Sequence, residues 1–176
     1  FAMKKIMIFL AVIITPFVIA KNLEEETIII PNESIRIRVI ANSNSLSDQI
    51  EKTNIKNILQ SYLDTKLKNS KSIEETDYII KQNLNEIRTQ IEKTLKENNS
   101  LNGVNIHYGK NFFPQKEYKG IIYESGMYDS LVITIGEGKG NNWWCVLFPP
   151  LCLIDLENTD DKEYKSWTIE AINKIF

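Results

Sequence analysis

The first regular pattern in the chain is a strict alternation of apolar and charged residues. Ile35, Ile37 and Val39 alternate with Arg36 and Arg38 in the stretch SIRIRVI. A period of two with β-branched residues predicts a half-buried strand, with both arginines on its polar side. The NSNS cluster that follows ends this strand and offers caps for a helix.

Two long stretches then carry apolar residues at helical spacing. The first runs from about Leu46 to Asn69. The second begins at Ser72, where Glu75 completes a capping box, and continues to about Asn98. The link between them is short and polar, so we expect an antiparallel helical pair. The apolar positions are Ile55, Ile58, Leu59, Tyr62, Leu63 and Leu67 in the first helix, and Ile80, Leu84, Ile87, Ile91 and Leu95 in the second.

The second half of the chain returns to patterns typical of strands. Val104, Ile106 and Tyr108 alternate with polar residues and predict a strand. YKGIIYESGMY predicts a strand ended by a Ser125-Gly126 turn, and SLVITI predicts another, with WWCVLF as its hairpin partner.

A last helix is predicted near the C-terminus, capped by Asp160 or Asp161. The fold class is therefore α+β: a mainly antiparallel sheet of about four to five strands packed against a long helical hairpin and a C-terminal helix. The apolar face of that last helix consists of Tyr164, Trp167, Thr168, Ala171, Ile172 and Ile175.

Length and charge narrow the class of protein. With 176 residues, 43% of them hydrophobic, the chain can form one domain with a real core. The formal net charge of -2 and the lack of a basic run interleaved with aromatic residues argue against nucleic acid as a partner.

The N-terminal stretch predicts export. Phe1 and Ala2 precede Met3 and are expected to be an expression remnant. A positive start and a short apolar stretch then predict a secretory signal peptide, so that residues 1–20 are remnant plus signal. An uncleaved membrane anchor is the alternative. We expect a polar lead-in over 21–34 and a single α+β domain over 35–176.

The most unusual stretch of the chain is GEGKGNNWWCVLFPPLC. Gly136, Gly138 and Gly140 do not have the spacing of a P-loop or a dinucleotide fingerprint, and a β-type pattern follows them instead of a helix. The three glycines predict a tight loop between strands, in which the backbone takes turns closed to other residues.

Polar and aromatic residues surround these glycines and favour a docking tip for a partner protein. Glu137, Lys139 and Asn142 are predicted to project from the tip, with one of Trp143 and Trp144 at its base. Adjacent strand residues face opposite ways, so the other tryptophan belongs to the core. A plain hairpin turn without a binding role is the alternative.

Arg36 and Arg38 have two open interpretations. They are either part of a solvated sheet face or partners of acidic residues, such as Glu137, that hold the glycine loop in place. In the second case they belong to the partner-binding site.

The two cysteines of the chain flank a Pro149-Pro150 pair. In an exported protein Cys145 and Cys152 are candidates for a structural disulfide, with two buried thiols as the alternative and a redox-active pair as a third reading. His107 is the single histidine of the chain, so cysteine–histidine catalysis and zinc binding have little support. We predict no catalytic residue, cofactor or metal.

An envelope enzyme is the competing function. Glu137, Asp129 and Asp155 could act as paired carboxylates in a peptidoglycan hydrolase, and exposed tryptophans suit stacking on sugars.

Two blocks of sequence resemble the stage II sporulation protein R (SpoIIR) family of endospore-forming bacteria. They are IPNESIRIRVIANSNSLSDQ and IGEGKGNNWWCVLFPPLC, and FFPQKEYKGIIYESGMYDSLVITI between them is similar to the family's lead-in to the second block. The resemblance implies a signal rather than an enzyme. Such proteins are exported from the forespore into the space between the forespore and mother-cell membranes. There they activate the membrane-embedded aspartic protease SpoIIGA, which processes pro-sigma-E.

Overall fold

A computed structural model describes residues 28–151, 161–173 and 175. Three helices and seven strands occur in this part of the chain, and the helices are α1 (Leu46–Leu67), α2 (Ile73–Glu97) and α3 (Asp161–Asn173). The strands are β1 (Ile28–Ile29), β2 (Ile35–Ile40), β3 (Val104–Phe113), β4 (Lys116–Tyr118), β5 (Ile121–Tyr123), β6 (Gly126–Ile135) and β7 (Asn142–Phe148).

The larger sheet has four strands in the order β3-β6-β2-β7. β2 runs parallel to β6 on one side and antiparallel to β7 on the other, while β3 pairs antiparallel with β6. The prediction that β6 and β7 form a hairpin is therefore wrong, because β2 lies between them. Periodicity predicts that a strand exists but does not determine which strand pairs with it.

The main core lies between this sheet and the first two helices. Ile35, Ile37 and Val39 of β2 point into it, together with one apolar face of each helix. The predicted helical faces are confirmed, since Ile55, Leu59, Leu63 and Leu67 of α1 and Ile80, Ile87, Ile91 and Leu95 of α2 are buried.

Capping residues place the beginnings of both helices. The Ser45 side chain accepts from the Asp48 backbone N–H, and the Ser72 side chain accepts from that of Glu75. These bonds satisfy backbone donors that have no partner within the helix. The capping role predicted for Ser72 is confirmed. The Glu75 side chain accepts from the backbone of Lys71 rather than of the cap itself.

A smaller sheet of three strands lies in the order β1-β5-β4. The stretch predicted as one strand is two short antiparallel strands, which are joined at Lys119 and Gly120, both with positive φ. Tyr164 of α3 is buried against this sheet, and its hydroxyl lies 2.6 Å from that of Tyr123. The helix begins at Asp161. Asp160 lies outside the described residues, so the prediction that Asp160 or Asp161 caps the helix stays a prediction.

The α+β class is confirmed, but the sheet differs from the predicted one. Within the described residues there are two mixed sheets, each containing one parallel pair: β2 with β6, and β1 with β5. None of the helices in the described part of the chain is both long enough and apolar enough to span a membrane.

The core predicts a clear contrast between two leucines. Leu59 is fully buried, whereas Leu101 is fully exposed. We expect Leu59→Ala to lower the free energy of unfolding by about 2–5 kcal/mol, since it leaves a cavity. Leu101→Ala should change it by less than about 0.5 kcal/mol. Urea denaturation measures both, and equal midpoints for the two variants would contradict this assignment of the core.

Candidate functional site: the glycine loop and the face beside it

The loop from Gly136 to Asn141 crosses over the end of β2. β6 and β7 flank β2, so the chain that connects them must pass over the residues that follow Ile40. The backbone N–H of Glu137 donates to Oδ1 of Asn42 over 2.9 Å. The N–H of Lys139 donates to the Asn42 carbonyl over 3.0 Å. The loop is therefore fastened to the segment that leaves β2.

Two further bonds fasten the second half of the loop. The N–H of Gly140 donates to the Ala41 carbonyl over 2.9 Å, and the N–H of Asn141 donates to Oδ1 of Asn44 over 2.7 Å. The two sequence blocks that resemble the SpoIIR family thus contact each other directly. The sequence predicted Asn42 and Asn44 only as part of a strand end and helix cap, so their role in the loop was missed.

The three glycines act for two different reasons. Gly136 and Gly138 have φ of 54° and 64°, a region that side chains disfavour, as the turn prediction required. Gly140 instead allows a close approach, because a Cβ atom there would lie 2.2 Å from the carbonyl oxygen of Ser43. Backbone packing therefore requires glycine at position 140.

Asp48 supports the Asn42–Ser45 segment from the first turn of α1. Its carboxylate accepts from Nδ2 of Asn42 over 3.0 Å and from the Ser43 hydroxyl. The bond from Ser43 is the largest cause that lowers the pKa of Asp48. The side-chain amide of Asn42 consequently connects the loop to the helix, donating to Asp48 and accepting from Glu137.

The tip of the loop is exposed although its backbone is fixed. The side chains of Glu137 and Lys139 are 69% and 75% exposed and form an ion pair of 2.7 Å. Their mutual hydrogen bond lowers the pKa of Glu137 and raises that of Lys139. Glu137 is thus paired within the loop, and the hypothesis that it pairs with Arg36 or Arg38 is wrong. Asn142 begins β7 and is exposed.

The two tryptophans face opposite sides of β7. Trp143 packs against the main core, and Nζ of Lys56 lies 5.7 Å from its ring centroid. Trp144 lies on the other face of the sheet, where its ring meets Phe113 edge-on at 5.4 Å between centroids. Both are partly buried, so neither belongs to the exposed tip itself.

Arg36 and Arg38 lie on the sheet face opposite the helices. Arg36 is only 2% exposed, so the prediction of a solvated face is wrong for this residue. Its Cζ lies 3.4 Å from the ring centroid of Tyr128, a cation–π contact, while Cζ of Arg38 lies 5.2 Å from that of Phe113. Burial lowers the pKa of both guanidinium groups. We name this face the basic-aromatic cluster; it comprises Arg36, Arg38, Phe113, Lys116, Tyr128 and Trp144.

The sequence signal for this cluster was incomplete. Arg36, Arg38 and Trp144 were singled out, but Phe113, Lys116 and Tyr128 were not, because they join the cluster only through strand pairing. β6 places Tyr128 one strand from Arg36, and β3 brings Phe113 next to β6. One sequence has no local pattern that links these distant positions.

The structure describes only one of the two cysteines. Cys145 is disulfide-bonded in the structure. Cys152 lies outside the described residues, so the Cys145–Cys152 pairing stays a prediction.

The carboxylates proposed for hydrolysis do not form a pair in the described residues. Asp129 binds Lys110 at 2.9 Å near the start of β6, whereas Glu137 follows the end of that strand. The six residue-to-residue steps from Asp129 to Ile135 span about 20 Å of extended chain. Catalytic carboxylates of glycosidases lie within about 10 Å of each other. Asp155 lies outside the described residues.

The described residues contain no group of three or more histidine, cysteine or acidic side chains placed to bind a metal ion. His107 is exposed on β3.

Comparison with known proteins identifies the family. The model of the stage II sporulation protein R family matches residues 31–158. The chain is also 37% identical over 159 residues to stage II sporulation protein R of Bacillus subtilis (strain 168), covering 87% of this chain and 71% of the relative. The chain therefore belongs to the stage II sporulation protein R family. No solved structure matches it.

The close approach at Gly140 predicts a selective effect of adding one methyl group. Gly140→Ala should lower the free energy of unfolding by about 1–3 kcal/mol, because the Ser43 backbone has to move. Gly103→Ala is the matched control, since a Cβ there meets nothing within 4 Å. Thermal unfolding of both variants measures the difference. A Gly140→Ala variant as stable as Gly103→Ala would refute the close packing of the loop.

Proposed function

We propose that this protein is an exported signalling protein of endospore formation that activates the membrane-embedded aspartic protease SpoIIGA. Activation would lead to processing of pro-sigma-E in the mother cell. The protein would act close to the membrane, in the space between the forespore and mother-cell membranes. Membership in the stage II sporulation protein R family supports a role in sporulation. Direct contact with the protease is what we add to that role.

The observation that carries the proposal is a fixed backbone with exposed side chains at its tip. Four hydrogen bonds from residues 137–141 fasten the loop to residues 41–44. Because its backbone is already ordered, such a loop loses little conformational entropy when it binds a partner. The crossing over β2 accounts for the fastening, and the exposed charged side chains at the tip are what favour a binding role.

The chemistry of the tip suits a protein surface. Glu137 and Lys139 offer one anion and one cation two residues apart, and their ion pair is largely exposed to solvent. Exposed ion pairs contribute little to stability. Glu137 and Lys139 can therefore give up their mutual contact and pair with charged groups of a partner at a small cost in free energy. The tip thus provides charge complementarity, while the aromatic residues of β7 lie at its base.

The proposal predicts that the tip charges matter for signalling but not for folding. The double variant Glu137→Ala and Lys139→Ala leaves the net charge unchanged. In a host that co-expresses the protease and its precursor substrate, we expect precursor cleavage to fall at least about tenfold, which corresponds to about 1.4 kcal/mol of lost contact. Immunoblotting of precursor and product measures the effect, and thermal unfolding should change little.

A matched pair on α2 controls for the loss of an exposed ion pair. Lys93 and Glu97 form one at 3.8 Å, with similar exposure. With the variant Lys93→Ala and Glu97→Ala, the protease should cleave the precursor as it does with the parent protein. Normal precursor cleavage by the protease in the presence of the folded tip variant would exclude the tip as the docking site.

A further inference from the structure

The basic-aromatic cluster contains several buried donors that have no acceptor. Within the described residues, Nη2 of Arg36, Nε of Arg38 and Nε1 of Trp144 are buried and form no hydrogen bond. Nε of Arg36 has only a long contact of 3.5 Å to the Ser34 hydroxyl. Native proteins leave few buried donors unpaired, because each one costs the full desolvation of that group. A concentration of them on one sheet face requires an explanation.

The strand register brings these donors together. Arg38 lies opposite Trp144 across the β2–β7 pairing. Arg36 lies two residues before Arg38, on the same face of β2. Nζ of Lys116 lies 4.5 Å from the Trp144 ring centroid. Three cations and an indole N–H therefore lie on one face, and the aromatic rings next to them carry no negative charge.

The cluster opens into a cavity of about 800 Å³. Arg36, Lys116 and Trp144 line it, together with Phe113, Tyr123 and Tyr164. Lys56 and Asp64 also line it, so cations outnumber carboxylates among the described lining residues. The cavity thus presents apolar ring surface and unpaired donors side by side.

We infer that this cavity is a binding site for an acidic side chain of a peptide ligand, with Arg36 as the principal donor to the carboxylate. A guanidinium offers a planar set of donors that matches the two carboxylate oxygens. The rings of Phe113 and Trp144 would contact the methylene groups of the same side chain. The ligand supplies acceptors, and the site supplies donors in excess.

The excess of donors also decides the sign of the ligand. A cationic or neutral donor ligand would leave Arg36 unpaired and add repulsion. The buried guanidinium is stabilised in the free protein by the Tyr128 ring, whose centroid lies 3.4 Å from Cζ of Arg36. This contact leaves the edge of the guanidinium available for hydrogen bonds.

The test uses the full chain and two small probes of matched shape. N-acetyl-glutamate N-methylamide carries the carboxylate, and N-acetyl-glutamine N-methylamide is its neutral counterpart. We expect the glutamate probe to shift both the Arg36 Nε–Hε resonance and the Trp144 fluorescence. Both signals should saturate at the same probe concentration. The glutamine probe should bind at least about tenfold more weakly, since it lacks the charge-assisted bonds.

A conservative variant separates binding from folding. Arg36→Met keeps the length of the side chain and removes its charge, so it should abolish the glutamate-dependent shift without loss of thermal stability. Arg88→Met is the control, because Arg88 is an exposed arginine of α2 whose ion pair with Glu92 lies away from the cluster. It should leave probe binding unchanged.

Several outcomes would overturn the inference. Equal binding of both probes would show that the carboxylate is not recognised, and tighter binding of inorganic phosphate would assign the site to a different anion. A glutamate response that survives Arg36→Met would place the site elsewhere. Glu24, Glu25 and Glu26 can be changed to Gln and the Arg36 Nε–Hε resonance measured without any probe. A change in that resonance would assign the cavity to the chain's own lead-in. Glu137 and Lys139 do not line the cavity, so either proposal can fail alone.

Discussion

The insertion of β2 between β6 and β7 is the constraint on which the rest of the structure depends. It forces the chain that connects β6 with β7 to cross the end of β2, where backbone carbonyls of residues 41–42 would otherwise lack partners. The crossing loop supplies those donors. The glycines follow from the same constraint, because the loop must turn sharply and lie close to the Ser43 backbone.

β2 is also largely buried on both faces, which sets opposite demands on alternate residues. Ile35, Ile37 and Val39 meet the helices in an apolar core. On the other face Arg36 lies among aromatic rings instead of in water, at a cost in desolvation that an apolar residue would not have. The buried, unpaired Nη2 of Arg36 is the feature of this face that our inference of an acidic ligand explains.

Local features of the fold were predictable from sequence, whereas pairing was not. The 3.6-residue period of α2 and the cap at Ser72 depend on neighbours in the chain, so they could be placed within about two residues. The partner of WWCVLF depends on which strand lies beside it in space, and proximity in sequence favoured the wrong one. Arg36 shows the same limit: alternation predicted its face, but its burial depends on Phe113 and Tyr128, which are far away in sequence. The glycine loop was recognisable as unusual because it concentrates rare residues, yet its anchor at Asn42 required the fold.

The central claim is that a fixed, exposed loop contacts the protease. Site-specific photo-cross-linking tests it most directly, with a photoreactive amino acid at position 139 in cells that contain the protease, and at position 93 of α2 as the reference. The account predicts an adduct with the protease from position 139 and none from position 93. An adduct from position 93 alone, with none from position 139 in folded protein, would contradict it.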